Sequence, residues 1–134
     1  MAGRAPLAAS LLATVVGISC GQAADSPDNA ALLAALRSSS RAEVTVIGPV
    51  SMLEPDSNGR HGPHERFALE VAGTAVEVDH NLTLAPRVPL RLGELVTVHG
   101  QFEPDPGHPV IHDTHHATGS HEAGWIRADG HQYE

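Results

Sequence analysis

The sequence predicts a mainly β fold: five short strands closing into a small barrel, preceded by one short helix. Three observations carry this. Apolar and polar residues alternate in short runs from residue 43 onward. Turn-forming glycine, proline, asparagine and aspartate separate those runs. The 134-residue length suits one domain.

The first segment does not belong to that domain. Arg4 followed by the apolar run "PLAASLLATVVGI" and then small residues reads as an export signal over residues 1–23. Gly21 and Ala23 fit a small-x-small cleavage rule. Cys20, the single cysteine, offers the alternative of a lipid anchor. The expected location is therefore periplasmic or extracellular, with attachment to the envelope if Cys20 is acylated. No cysteine pair exists, so no internal disulfide forms. The apolar run is too short to span a bilayer comfortably, and no other segment of the mature chain reads as a transmembrane helix.

Residues 24–42 read as a linker and a short helix. Ser26 is placed to cap it, with Pro27 at the first helical position. Leu32, Leu33 and Leu36 form one apolar stripe at helical spacing.

Residues 43–134 read as the barrel. "EVTVIGPVSMLEP" is a first strand, and its Gly48-Pro49 pair predicts a bulge or bend. "DSNGRHGPHE" reads as a loop. "RFALEVAG" and "GTAVEVDH" form a hairpin around Ala72-Gly73. "LVTVHGQFEP" is a fourth strand and "VIHDTH" a fifth. "WIRADGHQY" closes as a short hairpin around Asp129-Gly130. Phe67, Leu69 and Val71, with Val96, Val98 and Phe102, share the parity of the core face. A turn entering a strand with an internal glycine, as in "RLGELVTVHGQF", is a feature of oligonucleotide/oligosaccharide-binding (OB) barrels, so the barrel is expected to be OB-like.

Composition excludes some partners. All eight basic residues are arginine, and Arg4 lies in the signal. The remaining domain sets seven arginines against 16 acids, about −9 with neutral histidines. That charge makes nucleic acid an unlikely partner, because phosphate neutralisation supplies most of such affinity. It also opposes adhesion to anionic lipid headgroups.

The chemistry concentrates in histidine, with ten in the chain. His112, His115, His116 and His121 fall within ten positions and are the candidate metal ligands. As a continuous strand, residues 110–116 would hold His112 and His116 about 13 Å apart, too far to share an ion. If the chain curls after Asp113, His112, His115 and His116 converge, and "ATGSHEAG" lets His121 fold back. Neutral imidazoles suit Zn²⁺ or Cu²⁺, so the cofactor expected at this cluster is a divalent metal such as zinc or copper. A second candidate set, for a small ligand, is His64, His80, Asn81, Arg87 and Trp125. His80 continues the inward parity of Val76 and Val78, and an inward imidazole needs a partner. Trp125 either seals the barrel or offers a stacking surface.

The stretches "HERFAL", "HNLTLAPRVPL", "LGELVTVHGQFE", "VIHDTHH" and "GWIRADGHQY" resemble an uncharacterised family of small exported bacterial proteins, a domain of unknown function. The resemblance covers about residues 44–133. It implies a shared fold and no activity. The chain departs from that family's pattern at Thr83, Asp113, Ala117 and Thr118, which weakens a catalytic reading.

Three functions stay open at this point. The first is a barrel that binds a metal ion or small ligand through histidines at one rim. The second is a histidine- or metal-assisted phosphodiester hydrolase using His80, His112, His115 or His116 with Arg87. The third is a structural envelope module that binds a protein partner. No nucleophile elbow or phosphate loop is present.

Overall fold

A computed structural model describes residues 26–134. The signal reading of residues 1–23 and the anchor reading of Cys20 lie outside the described residues. Helix α1 spans Asn29–Ser38 and the strands are β1 Ala42–Gly59, β2 Gly62–Val71, β3 Thr74–Asn81, β4 Leu95–Glu103, β5 Val110–His112, β6 Trp125–Ala128 and β7 His131–Tyr133. The fold is mainly β, as expected. No helix among the described residues is long and apolar enough to cross a membrane.

Strands β1, β2, β3, β5 and β4 pair in that order, and β4 returns to β1, so five strands form a ring. All ring pairings are antiparallel except β3 with β5, which is parallel. β6 and β7 extend the sheet from β4. The alternating valines explain the ring's interior. Val44, Val46, Phe67, Leu69, Val71, Val76, Val78, Val96, Val98, Phe102 and Ile111 are all buried in one core. Ala72 and Gly73 both take positive φ, as do Asp129 and Gly130. Both hairpins therefore use two-residue turns whose twist matches their strands.

The helix starts later than the sequence suggests. Asp28, not Ser26, is the N-cap, and its carboxylate accepts the Ala31 N–H at 3.1 Å. The reason is docking. The Asn29 side chain donates to the Ile47 carbonyl and accepts from the Ile47 N–H, each at 2.9 Å. That pair of hydrogen bonds pins the first helical turn to β1, while Leu32 caps the core at full burial.

"DSNGRHGPHE" is also more ordered than a loop. β1 and β2 continue pairing to Gly59 and Gly62, with register shifts between Val50 and Met52 and between Glu54 and Ser57. Those shifts bend the ribbon and keep it paired despite Pro55 and Pro63. Gly48 marks a separate close approach, because a Cβ there would stand 2.2 Å from the Glu70 carbonyl oxygen.

The site depends on how β4 shares its edge. β5 pairs with residues 101–103 of β4, and β6 with residues 97–99. Gly100 lies between them. A Cβ on Gly100 would meet the His112 carbonyl oxygen at 2.5 Å. The fifth strand is therefore shorter than expected. The chain leaves the sheet at Asp113, which takes φ 57°, and returns at Trp125.

Candidate functional site

The excursion from Asp113 to Gly124 builds the site. Aspartate tolerates the left-handed conformation better than most residues, and here it turns the chain away from the strand. At the far end Gly124 N–H donates to the His115 carbonyl at 2.8 Å. A Cβ on Gly124 would lie 2.0 Å from the Asp113 carbonyl oxygen and 2.8 Å from that of His99. Only glycine lets the two ends of the loop pack this closely.

Within the loop, Asp113, His115 and His121 converge. One ligand atom from each lies within 4.8 Å of the other two. Asp113 Oδ1 is 4.0 Å from His115 Nε2 and 3.9 Å from His121 Nε2. The two imidazoles meet edge to face with centroids 4.6 Å apart.

The hydrogen bonds fix the tautomers. His115 Nδ1 lies 3.0 Å from the His116 carbonyl, and His121 Nδ1 is bonded to the Glu122 carbonyl. A carbonyl only accepts, so each Nδ1 carries a proton. In the neutral ring Nε2 then presents a bare lone pair. His121 Nε2 is buried and has no hydrogen-bond partner among the described residues. Burial holds His115 below its ordinary pKa, and His121 acts in the same direction. Neutral imidazole is the form that binds metal.

These three residues fit a divalent ion chemically. Tetrahedral zinc places its nitrogen and oxygen ligands about 3.4 Å apart. The two aspartate–histidine spacings, 4.0 and 3.9 Å, are some tenths of an ångström longer than that. The backbone carbonyls that orient both imidazoles are the outer partners metal-binding histidines generally have.

The group opens on a pocket of about 400 Å³. His61, His64, Asp79, Asn81 and His112 line it together with the three converging residues. His112 Nδ1 stands 3.5 Å from Asp113 Oδ2, and its Nε2 is 3.3 Å from Glu103 Oε1. Glu103 in turn pairs with Arg41 at 2.6 Å. His112 is thus tied to the Asp113 carboxylate, and its Cα sits at the end of β5.

The other residues singled out from the sequence divide between this pocket and separate places. His64 Nδ1 is bonded to the Gly62 carbonyl at 3.0 Å and its ring lines the pocket. Asn81 lines it too, while its Oδ1 accepts the Thr83 N–H at 2.9 Å. His80 does not line it. His80 is fully buried inside the ring, between Thr114 Oγ1 at 2.8 Å and the Pro86 carbonyl at 3.0 Å. Burial lowers its pKa. His116 is exposed, and contributes its carbonyl but not its ring to the group. Arg87 is held by Asp56, with Glu65 at 3.8 Å. Trp125 is buried, stacked at 5.7 Å on His99 with Arg127 3.9 Å from its centroid.

Asp113, His61 and Asp79 are pocket residues that spacing did not mark out. Asp113 had a signal, since it lies inside the histidine-rich segment, but its left-handed turn is not readable from periodicity. His61 and Asp79 reach the pocket through the paired β1–β2 ribbon and the outward parity of β3.

The fold and the site define a small β-domain, a five-strand ring with a histidine- and aspartate-lined pocket at one end. The chain belongs to the family described as protein of unknown function (DUF3465), whose family model matches residues 14–134. No curated protein and no solved structure matches it.

Proposed function

We propose that this protein binds one divalent transition-metal ion, zinc or copper, through Asp113, His115 and His121, and that a small ligand completes the coordination from the pocket. The supporting observation is His121 Nε2, an acceptor buried without a partner. An unmatched buried polar atom costs about 1–3 kcal/mol, a cost that a metal ion would remove. The unprotonated Nε2 of His115 and the Asp113 carboxylate supply the remaining donors. The hydrolase reading gains less support, because the Arg87 guanidinium is already engaged by carboxylates. We further propose that the protein acts outside the cytoplasm, on the strength of its signal-like residues 1–23. A processed N-terminus near residues 20–24 on protein recovered from the producing cell is the expected result, and an intact Met1 would defeat it.

Calorimetric titration of Zn²⁺ and of Cu²⁺ into tag-free protein tests the metal reading. The expected result is saturable binding near one equivalent that His115→Ala/His121→Ala abolishes. Equal, weak, multi-equivalent binding by both proteins would mean scattered surface histidines and would sink the proposal.

A further inference from the structure

A second group of ligands lies on the neighbouring face. Glu43 from β1, His99 from β4 and Glu122 from the loop each offer one ligand atom, all within 4.8 Å of one another. They open on a separate cavity of about 320 Å³ that Asp28 and Thr45 also line. From this arrangement we infer a second divalent-cation site, distinct from the histidine–aspartate group and suited to a harder ion such as Mn²⁺.

Three features support it. First, the ligand set mixes two carboxylates with one imidazole. Carboxylates suit Mg²⁺, Ca²⁺ and Mn²⁺, and an imidazole shifts the preference toward transition metals, so Mn²⁺ satisfies both. Second, the imidazole is fixed. His99 Nδ1 is bonded to Thr45 Oγ1 at 2.8 Å, and the ring stacks on Trp125. Its Nε2 is therefore the nitrogen directed to Glu43 Oε2, at 3.8 Å. Third, the three ligands come from three separate elements, held in place by the β1–β4 pairing of Thr45 with His99 and by the loop return at Gly124.

The two sites share a peptide. His121 donates to the carbonyl of Glu122, whose side chain belongs to the second group. Their metal preferences differ, because one set carries two imidazoles and the other two carboxylates.

Electron paramagnetic resonance of Mn²⁺ tests the inference. Free aqueous Mn²⁺ gives a six-line signal that collapses on binding. The purified protein, first given one equivalent of Zn²⁺, is titrated with Mn²⁺ while the fluorescence of Trp125, the single tryptophan, is followed. The expected result is about one equivalent of bound Mn²⁺ with a change in Trp125 emission. Glu43→Gln/Glu122→Gln should weaken Mn²⁺ binding at least about tenfold, as expected for losing charged oxygen ligands. His115→Ala/His121→Ala, titrated without added Zn²⁺, should keep Mn²⁺ binding, so failure at one site is separable from failure at the other. Circular dichroism of both variants establishes that they fold. Mn²⁺ binding that is absent, or unchanged in the Glu43→Gln/Glu122→Gln protein, would overturn the second site.

Discussion

His80 and His121 are both screened from water, yet they sit in opposite chemical situations. Both nitrogens of His80 are occupied, one by the Thr114 hydroxyl and one by the Pro86 carbonyl. His121 has one nitrogen anchored on the Glu122 carbonyl and the other without a partner, beside Asp113 and His115. A residue with every polar atom matched stabilises the fold and has nothing left to offer a ligand. A residue fixed at one end and open at the other is pre-organised to bind. The state of the second nitrogen separates the structural histidine from the one we propose to bind.

The sharpest way to break this contrast is to remove both imidazoles of the loop. His115→Ala/His121→Ala should cut Zn²⁺ affinity at least about a thousandfold, or about 4 kcal/mol, measured by competition with a chromophoric chelator. His80→Ala should leave affinity within a few-fold but lower stability by about 2–4 kcal/mol, because it opens a cavity and strands the Thr114 hydroxyl. Urea unfolding reads that loss. If His80→Ala instead abolished metal binding while the fold held, the division between the two regions would be wrong.

Gly124→Ala comes next. Its Cβ would collide with the Asp113 and His99 carbonyls, so about 1–3 kcal/mol of stability should go. Zn²⁺ affinity should also fall, although no ligand has been changed. Wild-type affinity in this variant would show that the loop closure does not position the ligands.

The pH dependence of stability follows from burial. His80 and His115 are both held below the ordinary histidine value of 6.5. Between the lowered folded value and 6.5 the unfolded chain binds more protons than the folded one. Their contribution is therefore complete above about pH 6.5 and erodes as the pH falls below it. Glu65 and Glu77, raised chiefly by burial, act in the reverse sense nearer the carboxyl range. Urea midpoints at pH 7.5 and 5.5 should show lower stability at the acid end, with a smaller difference in His80→Asn. An equal difference in both proteins would remove His80 from the effect. The smallest change is expected from Arg87→Ala. Its partner Asp56 is exposed, and solvent screens such a pair so that it adds little to stability. A large loss of stability, or any loss of metal affinity, would show that Arg87 reaches further than its ion pairs.

Much of this architecture is legible in the sequence, for physical reasons. Alternation locates the core strands because one face of each is buried, and it correctly turns His80 inward after Val76 and Val78. The Ala72-Gly73 and Asp129-Gly130 turns are legible because Gly73 and Gly130 take positive φ freely between two alternating runs. What periodicity does not reveal is where a strand stops. The "VIHDTH" segment keeps a strand-like pattern past His112, but the β4 edge beyond Gly100 is taken by β6 and Asp113 turns out. The convergence of Asp113 and His115 with His121, rather than of His112 with His116, is a product of that tertiary competition. Likewise, the β1–β2 ribbon stays paired beyond Glu54 through register shifts that local turn residues do not announce.

The ring closure also bears on the order in which the molecule assembles. The β1–β2–β3 meander forms from neighbours in the chain, whereas Ala42 pairs with Phe102 and Val78 with Ile111 across long intervening segments. Such distant pairings carry the larger loop-closure entropy and slow folding. Every residue of the histidine–aspartate group follows the last ring strand in the chain. Its residues are near one another in the chain, but the turn at Asp113 and the return at Gly124 against the His99 carbonyl are set by the assembled sheet, so the proposed metal capture should be a late event of folding. Metal release on unfolding should then track the opening of the ring rather than the loss of the early meander.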